Sequence, residues 1–357
     1  MHHPARRPAP RRWALDGQAT VEFEEQGAPC APIGGPLINA SASVADSNWT
    51  ADSLPDLRGR SYVVTGANRG LGLEVATALA RHHAVVTLAV RDHARGQAAV
   101  GAIERAVPGP ALEVAELDLA SLASIQQFAD SYGQRHNRLD GLVNNAAAIL
   151  APEGTTAEGF ELHWGVNHLG HFALTARLMP LLLAARGPRV VTVTSLVARW
   201  GRLGPGVAER AGDYRPMRAY AASKLANLIF SLELSRRAEE ARVPLLSLAA
   251  HPGYVRDAPS KGQARPWQVA ASRLNPASWL TQGVPMGSEP ILLAAAGWPV
   301  VGGTMYGPGG FLGTRGHPLP AKVPRRARTE EIGVSLWRDA EASCGLAFEL
   351  TPGSDPP

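Results

Sequence analysis

Two side chains four residues apart, Tyr220 and Lys224, are the pair in this chain best suited to moving a proton. The chain has only three lysines, so Lys224 is not one of many surface cations. Positions four apart on a helix share a face, which lets the phenol and the ammonium reach one cleft. A phenol that ionises at about pH 10 is a poor proton-transfer group at neutrality unless a cation favours its phenolate, and Lys224 is placed to be that cation. A second locus is the run Gly66-Ala67-Asn68-Arg69-Gly70-Leu71-Gly72. Glycines there allow a tight turn and close approach to a pyrophosphate, and a helix starting at the same point would aim free N–H groups at its charge.

These groups need a scaffold, and the pattern from Gly59 onward supplies one. Short apolar, β-rich runs at Ser61–Thr65, Ala84–Val90, Leu112–Glu116, Gly141–Asn144, Arg189–Thr194, Leu245–Ala249 and Thr304–Tyr306 alternate with helical stretches. The helical stretches are expected at Leu71–His82, Ala94–Ala106, Ser121–His136, Ala157–Arg186 and Met217–Arg242. This rhythm predicts one α/β domain: a doubly wound, seven-stranded parallel sheet with helices on both faces. It puts the glycine run directly after the first strand, and Tyr220 with Lys224 on the last long helix.

The rest of the chain frames that domain. Residues 1–56 are rich in Pro, Ala, Gly and Ser without periodicity and read as a mostly disordered extension. The irregular stretch at about 255–290, with Trp267, Leu274, Trp279 and Leu280, reads as a substrate lid with an apolar lining. Residues 321–357 read as a tail with a helix near Thr329–Cys344. Hydrophobic residues at 45% and charged residues at 18% describe a globular chain able to bury a large core. The net charge of +4 is concentrated in arginines of the first dozen residues, so there is no basic face for nucleic acid. Cys30 and Cys344 lie too far apart in sequence to suggest a disulfide framework, and no run is apolar and long enough for a membrane span. A cytoplasmic protein acting on a small molecule is expected.

The strand ends refine the ligand. After the second strand, where an acid would accept from a free ribose 2′-hydroxyl, the chain has Arg91 and only then Asp92. Arg91 and Arg69 offer two guanidinium groups to a 2′-phosphate, which favours NADP over NAD. Asp118, at the end of the third strand, is placed to receive an adenine amino group or to cap the helix that follows. Asn144 and Asn145 leave the fourth strand and need partners for their amides, from a cofactor edge, a neighbouring strand or both. His163, His168 and His171 have no accompanying Cys or carboxylate cluster, so they read as packing residues and no metal is expected.

Taken together, Thr65–Gly72, Asp118-Leu119, Asn144-Asn145-Ala146, Asn167, Ser195, Tyr220 with Lys224, and Pro252-Gly253 resemble the motifs of the short-chain dehydrogenase/reductase family over residues 57–320. Asn167-His168-Leu169-Gly170-His171-Phe172 and His251-Pro252-Gly253-Tyr254 are similar to its retinol-dehydrogenase-like branch. The resemblance implies a nicotinamide-dependent oxidoreductase working between an alcohol and a carbonyl. In that reading Tyr220 is the general acid/base and Ser195 orients the substrate oxygen. Lys224 lowers the tyrosine pKa and binds ribose, and Asn167 holds a water in a proton relay. Gly66, Asn68, Arg69, Gly70, Leu71, Gly72, Arg91, Asp118, Leu119, Asn145, Ala146, Pro252 and Gly253 join Tyr220 and Lys224 around the dinucleotide. The resemblance also leaves two oligomeric states open: the family commonly pairs its Asn167 and Tyr220 helices across a homodimer, and some members of this branch are monomers.

Three departures stand out: Ala147 in place of glycine, Asp257 in place of threonine, and an interval of twenty-four residues between Ser195 and Tyr220. A reductase of carbon–carbon double bonds and a non-catalytic NADP-binding sensor are the rival functions. The intact Tyr, Lys and Ser set argues against the sensor.

Overall fold

Strands that are apolar at almost every position are stable only when both sheet faces are covered, which is the condition of a parallel sheet between helices. In the computed structural model, which describes residues 48–204, 214–256 and 280–350, that is the arrangement found. β1 (Ser61–Thr65), β2 (Val85–Val90), β3 (Ala111–Glu116), β4 (Gly141–Asn144), β5 (Arg189–Val193), β6 (Leu246–Ala250) and β7 (Met305–Pro308) are mutually parallel. The order across the sheet is β3-β2-β1-β4-β5-β6-β7-β8.

The sheet corrects the expected count of seven. An eighth strand, β8 (Pro318–Pro320), pairs antiparallel with β7 through Gly307 and Leu319. Three residues with prolines at both ends carry no alternation to read, and an edge position is where a strand tolerates proline.

Helices α1 (Gly70–Arg81) and α2 (His93–Ala106) cover one face with α6 (Val284–Ala296). On the other face lie α3 (Leu122–Arg135), α4 (Gly170–Leu183), α5 (Pro216–Glu240) and α7 (Glu330–Cys344). The single helix expected over Ala157–Arg186 is shorter and has two parts. A Thr155–Glu161 bridge closes a turn, and a π-helical segment over Trp164–Leu169 then runs into α4. Glu161 starts this segment by accepting from the backbone N–H of His163 (3.0 Å) and Trp164 (2.8 Å).

The strand order reverses between β1 and β4, and in open α/β sheets ligands bind at the carboxyl ends beside such a switch point. Several expectations lie outside the described residues in part: residues 1–47 of the extension, residues 257–279 of the lid with Asp257, Trp267, Leu274 and Trp279, the 205–213 part of the Ser195–Tyr220 interval, and 351–357; the described end of the lid is helical from Val284 onward.

Candidate active site

At the switch point a cavity of about 370 Å³ opens against the glycine run. Gly66, Asn68, Arg69, Arg91, Asp118, Leu119 and Ala146 line it, as does Ala147, so the departure from glycine faces this space. Gly66 has φ +66°, a left-handed conformation that glycine adopts without strain. A Cβ on Gly72 would come 2.5 Å from Asn145 Nδ2, so α1 can approach the end of β4 only because that position is glycine. The first turn of α1, with Gly70 and Leu71, begins at Arg69, whose side chain does not cap it. Its N-terminal amides therefore keep their capacity for an anion, and these residues fit a dinucleotide phosphate.

The charges of the cavity are sorted by their partners. Asp92 is consumed as the N-cap of α2, accepting from Arg95 N at 3.0 Å while Arg95 Nε pairs with its other oxygen at 3.2 Å. Arg69 and Arg91 have no ion-pair partner among the described residues. Asp118 accepts from Ala120 N at 2.9 Å and donates its own amide to Ser124, while Ser121 caps α3. Asn145 turns inward: its Nδ2 donates to Thr65 O at 2.8 Å, and its backbone N–H donates to Thr65 Oγ1 at 2.9 Å. Pro252 and Gly253 do not line this cavity. They follow β6, where Pro252 O accepts from Gln282 Nε2 at 2.7 Å and Gly253 has φ +69°.

The four candidate catalytic residues come from three elements. Ser195 lies two residues past β5 and caps the short 3₁₀ turn Leu196–Trp200. Tyr220 and Lys224 lie on one face of α5, with the ammonium 6.0 Å from the phenol ring centre. Asn167, fully buried in the π segment, bridges backbone and α5: Oδ1 accepts from Ala148 N (2.7 Å) and Nδ2 donates to Ala148 O (3.0 Å) and Ser223 Oγ (2.9 Å). π segments of this kind recur at functional sites because they re-aim single side chains.

In this arrangement the electrostatics differ from the expectation that Lys224 lowers Tyr220. Burial raises the Tyr220 phenol, and the hydrogen bond with Ser195 pulls it back. Lys224 Nζ instead donates to Val193 O at 2.9 Å, and burial brings its own pKa down to about 7.

A cluster that sequence reasoning assigned to packing adjoins Tyr220. His163 stacks edge-on to it with ring centres 6.2 Å apart. His163 Nε2 accepts from Ala151 N at 3.1 Å, so Nδ1 carries the proton and donates to Glu161 Oε1 at 2.8 Å. The Tyr214 hydroxyl meets the same carboxylate and Ala151 O. Only the short spacing of Glu161 and His163 was visible beforehand, and it does not reveal Tyr214. Among the described residues no group of three or more His, Cys, Asp or Glu could hold a metal ion.

A doubly wound sheet with a phosphate-cradling loop and a Tyr/Lys/Ser cluster defines a dinucleotide-dependent oxidoreductase. The sequence profile of the short chain dehydrogenase family matches residues 60–268. Human retinol dehydrogenase 14 is 34% identical over 303 residues, covering 81% of this chain and 88% of that protein. Mouse polyprenol dehydrogenase is 42% identical over 206 residues, covering 57% of this chain and 62% of that protein. The crystal structure of an uncharacterised protein from Mycobacterium paratuberculosis superposes with a TM-score of 0.71 at 37% identity, covering 85% of this chain and 100% of that one. A short chain dehydrogenase from Shigella flexneri, solved with NADP, shares the fold at TM-score 0.52 and 24% identity, over 68% and 93% of the two chains. The chain belongs to the short chain dehydrogenase family and is an NAD(P)-dependent oxidoreductase acting on CH–OH groups. No helix among the described residues is long and apolar enough to cross a membrane.

Proposed function

We propose that this enzyme prefers NADP and interconverts an alcohol and a carbonyl on a hydrophobic substrate, with Tyr220 as the proton-transfer group. The observation that carries the reading is the convergence of Ser195, Tyr220 and Lys224 at the exit of β5, next to a cavity edged by Arg69 and Arg91. The relatives named for retinol and polyprenol are named for lipophilic alcohols. Ile149, Trp200, Phe311 and Leu312, exposed in loops after the carboxyl ends of β4, β5 and β7, fit the same substrate class.

The dinucleotide, when bound, supplies or accepts the hydride. In the reducing direction Tyr220 gives its proton to the substrate oxygen as negative charge develops there, so no full oxyanion forms. Ser195 holds that oxygen by a hydrogen bond and fixes its approach. Lys224, released from Val193 O, is the cation that would favour the phenolate left behind. Asn167 anchors the 148 backbone to α5 and keeps the floor of the site in register. Arg69 and Arg91 would hold a 2′-phosphate, since Asp92 is already committed to Arg95.

The test is NADPH consumption with a panel of lipophilic aldehydes and ketones. Tyr220→Phe is expected to lose about 100-fold or more in kcat while NADPH binding stays within about threefold. Equal activity in the variant would remove Tyr220 from its role. In parallel titrations Arg69→Ala and Arg91→Ala should weaken NADPH and leave NADH unchanged; tighter NADH binding to the wild type would overturn the cofactor preference.

A further inference from the structure

Behind the site, one imidazole joins the strand that feeds the dinucleotide loop to the segment that carries Asn167. His171 is 1% exposed, in the first turn of α4. Its Nδ1 lies 3.0 Å from the main-chain oxygen of Asn167, and its Nε2 lies 2.9 Å from Thr65 Oγ1. The protons on this path can be placed by counting. Thr65 Oγ1 accepts from two backbone amides, Asn145 N and Ala146 N, each at 2.9 Å. Its single hydrogen is left for a donor bond, and His171 Nε2 is nearer than the alternative, Val143 O at 3.3 Å. Nε2 must therefore accept, so Nδ1 holds the proton and donates it to the Asn167 carbonyl. Burial, opposed by the bond to the Asn167 carbonyl and reinforced by the nearby Lys224 charge, holds His171 down at about 4 and keeps the ring neutral and the tautomer fixed.

We propose that His171 is a positioning residue for the reaction: its imidazole sets the main-chain carbonyl of Asn167 against Thr65, and so registers the proton-relay side of the site to the strand that carries the dinucleotide loop. This rests on the Tyr220 reading above. The carbonyl belongs to a π segment, whose i→i+5 bonding departs from the regular helical ladder, and the imidazole gives it a partner from outside the backbone. The chain continues on both sides: Thr175 donates to His171 O at 2.6 Å and accepts from Asn144 Nδ2 at 2.9 Å, which ties the same turn to the end of β4.

The two ring nitrogens can be mimicked one at a time. Asparagine places an amide nitrogen where Nδ1 was, and glutamine places an amide oxygen where Nε2 was. Against a carbonyl substrate and NADPH, His171→Leu is expected to lower kcat by about 10- to 100-fold with KM and NADPH affinity changed less than about threefold. His171→Asn should recover most of that loss and His171→Gln should not. Loss of kcat that merely follows the melting temperature, with Asn and Gln alike, would overturn the proposal, as would unchanged kcat in the leucine variant. A second measurement needs no substrate: in wild-type protein labelled with ¹⁵N-histidine, the signal that disappears in His171→Asn should be a neutral ring protonated at Nδ1 from pH 5 to 8. A ring protonated at Nε2, or charged, would also overturn it. Absence of any wild-type turnover would sink the Tyr220 reading and this inference with it, whereas wild-type turnover indifferent to His171 would sink this inference alone.

Discussion

Lys224 is a cation with almost no access to water: it is 2% exposed, and burial alone takes its pKa from 10.5 to about 7. Its folded-state pKa lies below its unfolded value, which fixes the sign of its effect on stability. Below about pH 7 both states are charged and the folded protein bears the full desolvation cost. That cost fades as pH rises toward 10.5, because the folded state has given up its proton while the unfolded chain still holds one. In the proposed mechanism, a residue that destabilises the fold at neutral pH is kept for its chemistry. Lys224→Met, which keeps the length of the side chain without its charge, is expected to melt higher than wild type, with the largest difference below pH 7 and little near pH 10, while turnover is lost. Melting curves at pH 6 and pH 9, beside the NADPH assay on the same samples, check both halves. A variant that melts lower at pH 6 would show that the bond to Val193 O outweighs the desolvation cost.

Among the elements, α7 shows how sequence and packing divide the information. Trp337 is 2% exposed and meets Phe172 of α4 at 5.1 Å, Phe230 of α5 at 5.9 Å and Phe348 at 4.5 Å, with the Arg237 guanidinium 4.4 Å over its ring. Trp337→Ala should therefore cost about 3–5 kcal/mol, read as a lower denaturation midpoint with an unchanged slope. Strands β1 to β7 were legible because parallel strands, buried except for the edge strand β3, announce themselves as apolar runs between turns, and their ends were misplaced by two residues at most. α6 was not legible: ten of its thirteen residues are buried, so there is no polar face and no 3.6-residue stripe, and Pro285 and Pro290 look like breakers. At the site, the spacing of Tyr220 and Lys224 was readable because α5 is regular through that stretch. The direction of the ammonium toward Val193 O, the meeting of Glu161, His163 and Tyr214, and the inward turn of Asn145 depend on which strands become neighbours. A single sequence does not carry that information locally.

At the scale of the whole molecule, the face of the sheet beneath α4 and α5 holds an unusual number of neutralised basic groups. Burial lowers His168 to about 3, and His171 and His251 to about 4, so all three are uncharged in the folded protein at neutral pH. The unfolded chain would protonate each of them near pH 6.5. Folded pKa values below the unfolded ones mean that this contribution is fully present above pH 6.5 and is lost as pH falls toward 4. In the middle of that window the unfolded state binds up to three more protons than the folded state, a slope of about 4 kcal/mol per pH unit at most. Stability in urea should then drop steeply from pH 6.5 to 4.5. His168 isolates the cause best, because neither ring nitrogen makes a hydrogen bond of good geometry, the Asn227 amide is the one polar group that bears on it, and its other neighbours are the rings of Trp164, Phe172 and Phe230. His168→Met removes the titration and gives up no more than the weak contact with Asn227, and methionine adapts to irregular spaces between rings. The variant should lose about one proton's worth of pH slope and hold its stability better than wild type at pH 5. An unchanged slope would mean that acid sensitivity resides in the carboxylates instead, chiefly Glu161 and Glu233, whose hydrogen bonds to His163 and to Arg236 and Arg237 hold them below the usual range. The two sources differ in onset: the histidines cost stability from pH 6.5 down to about 4, and His168 to about 3, whereas carboxylates of that kind add their loss only below about pH 4.5.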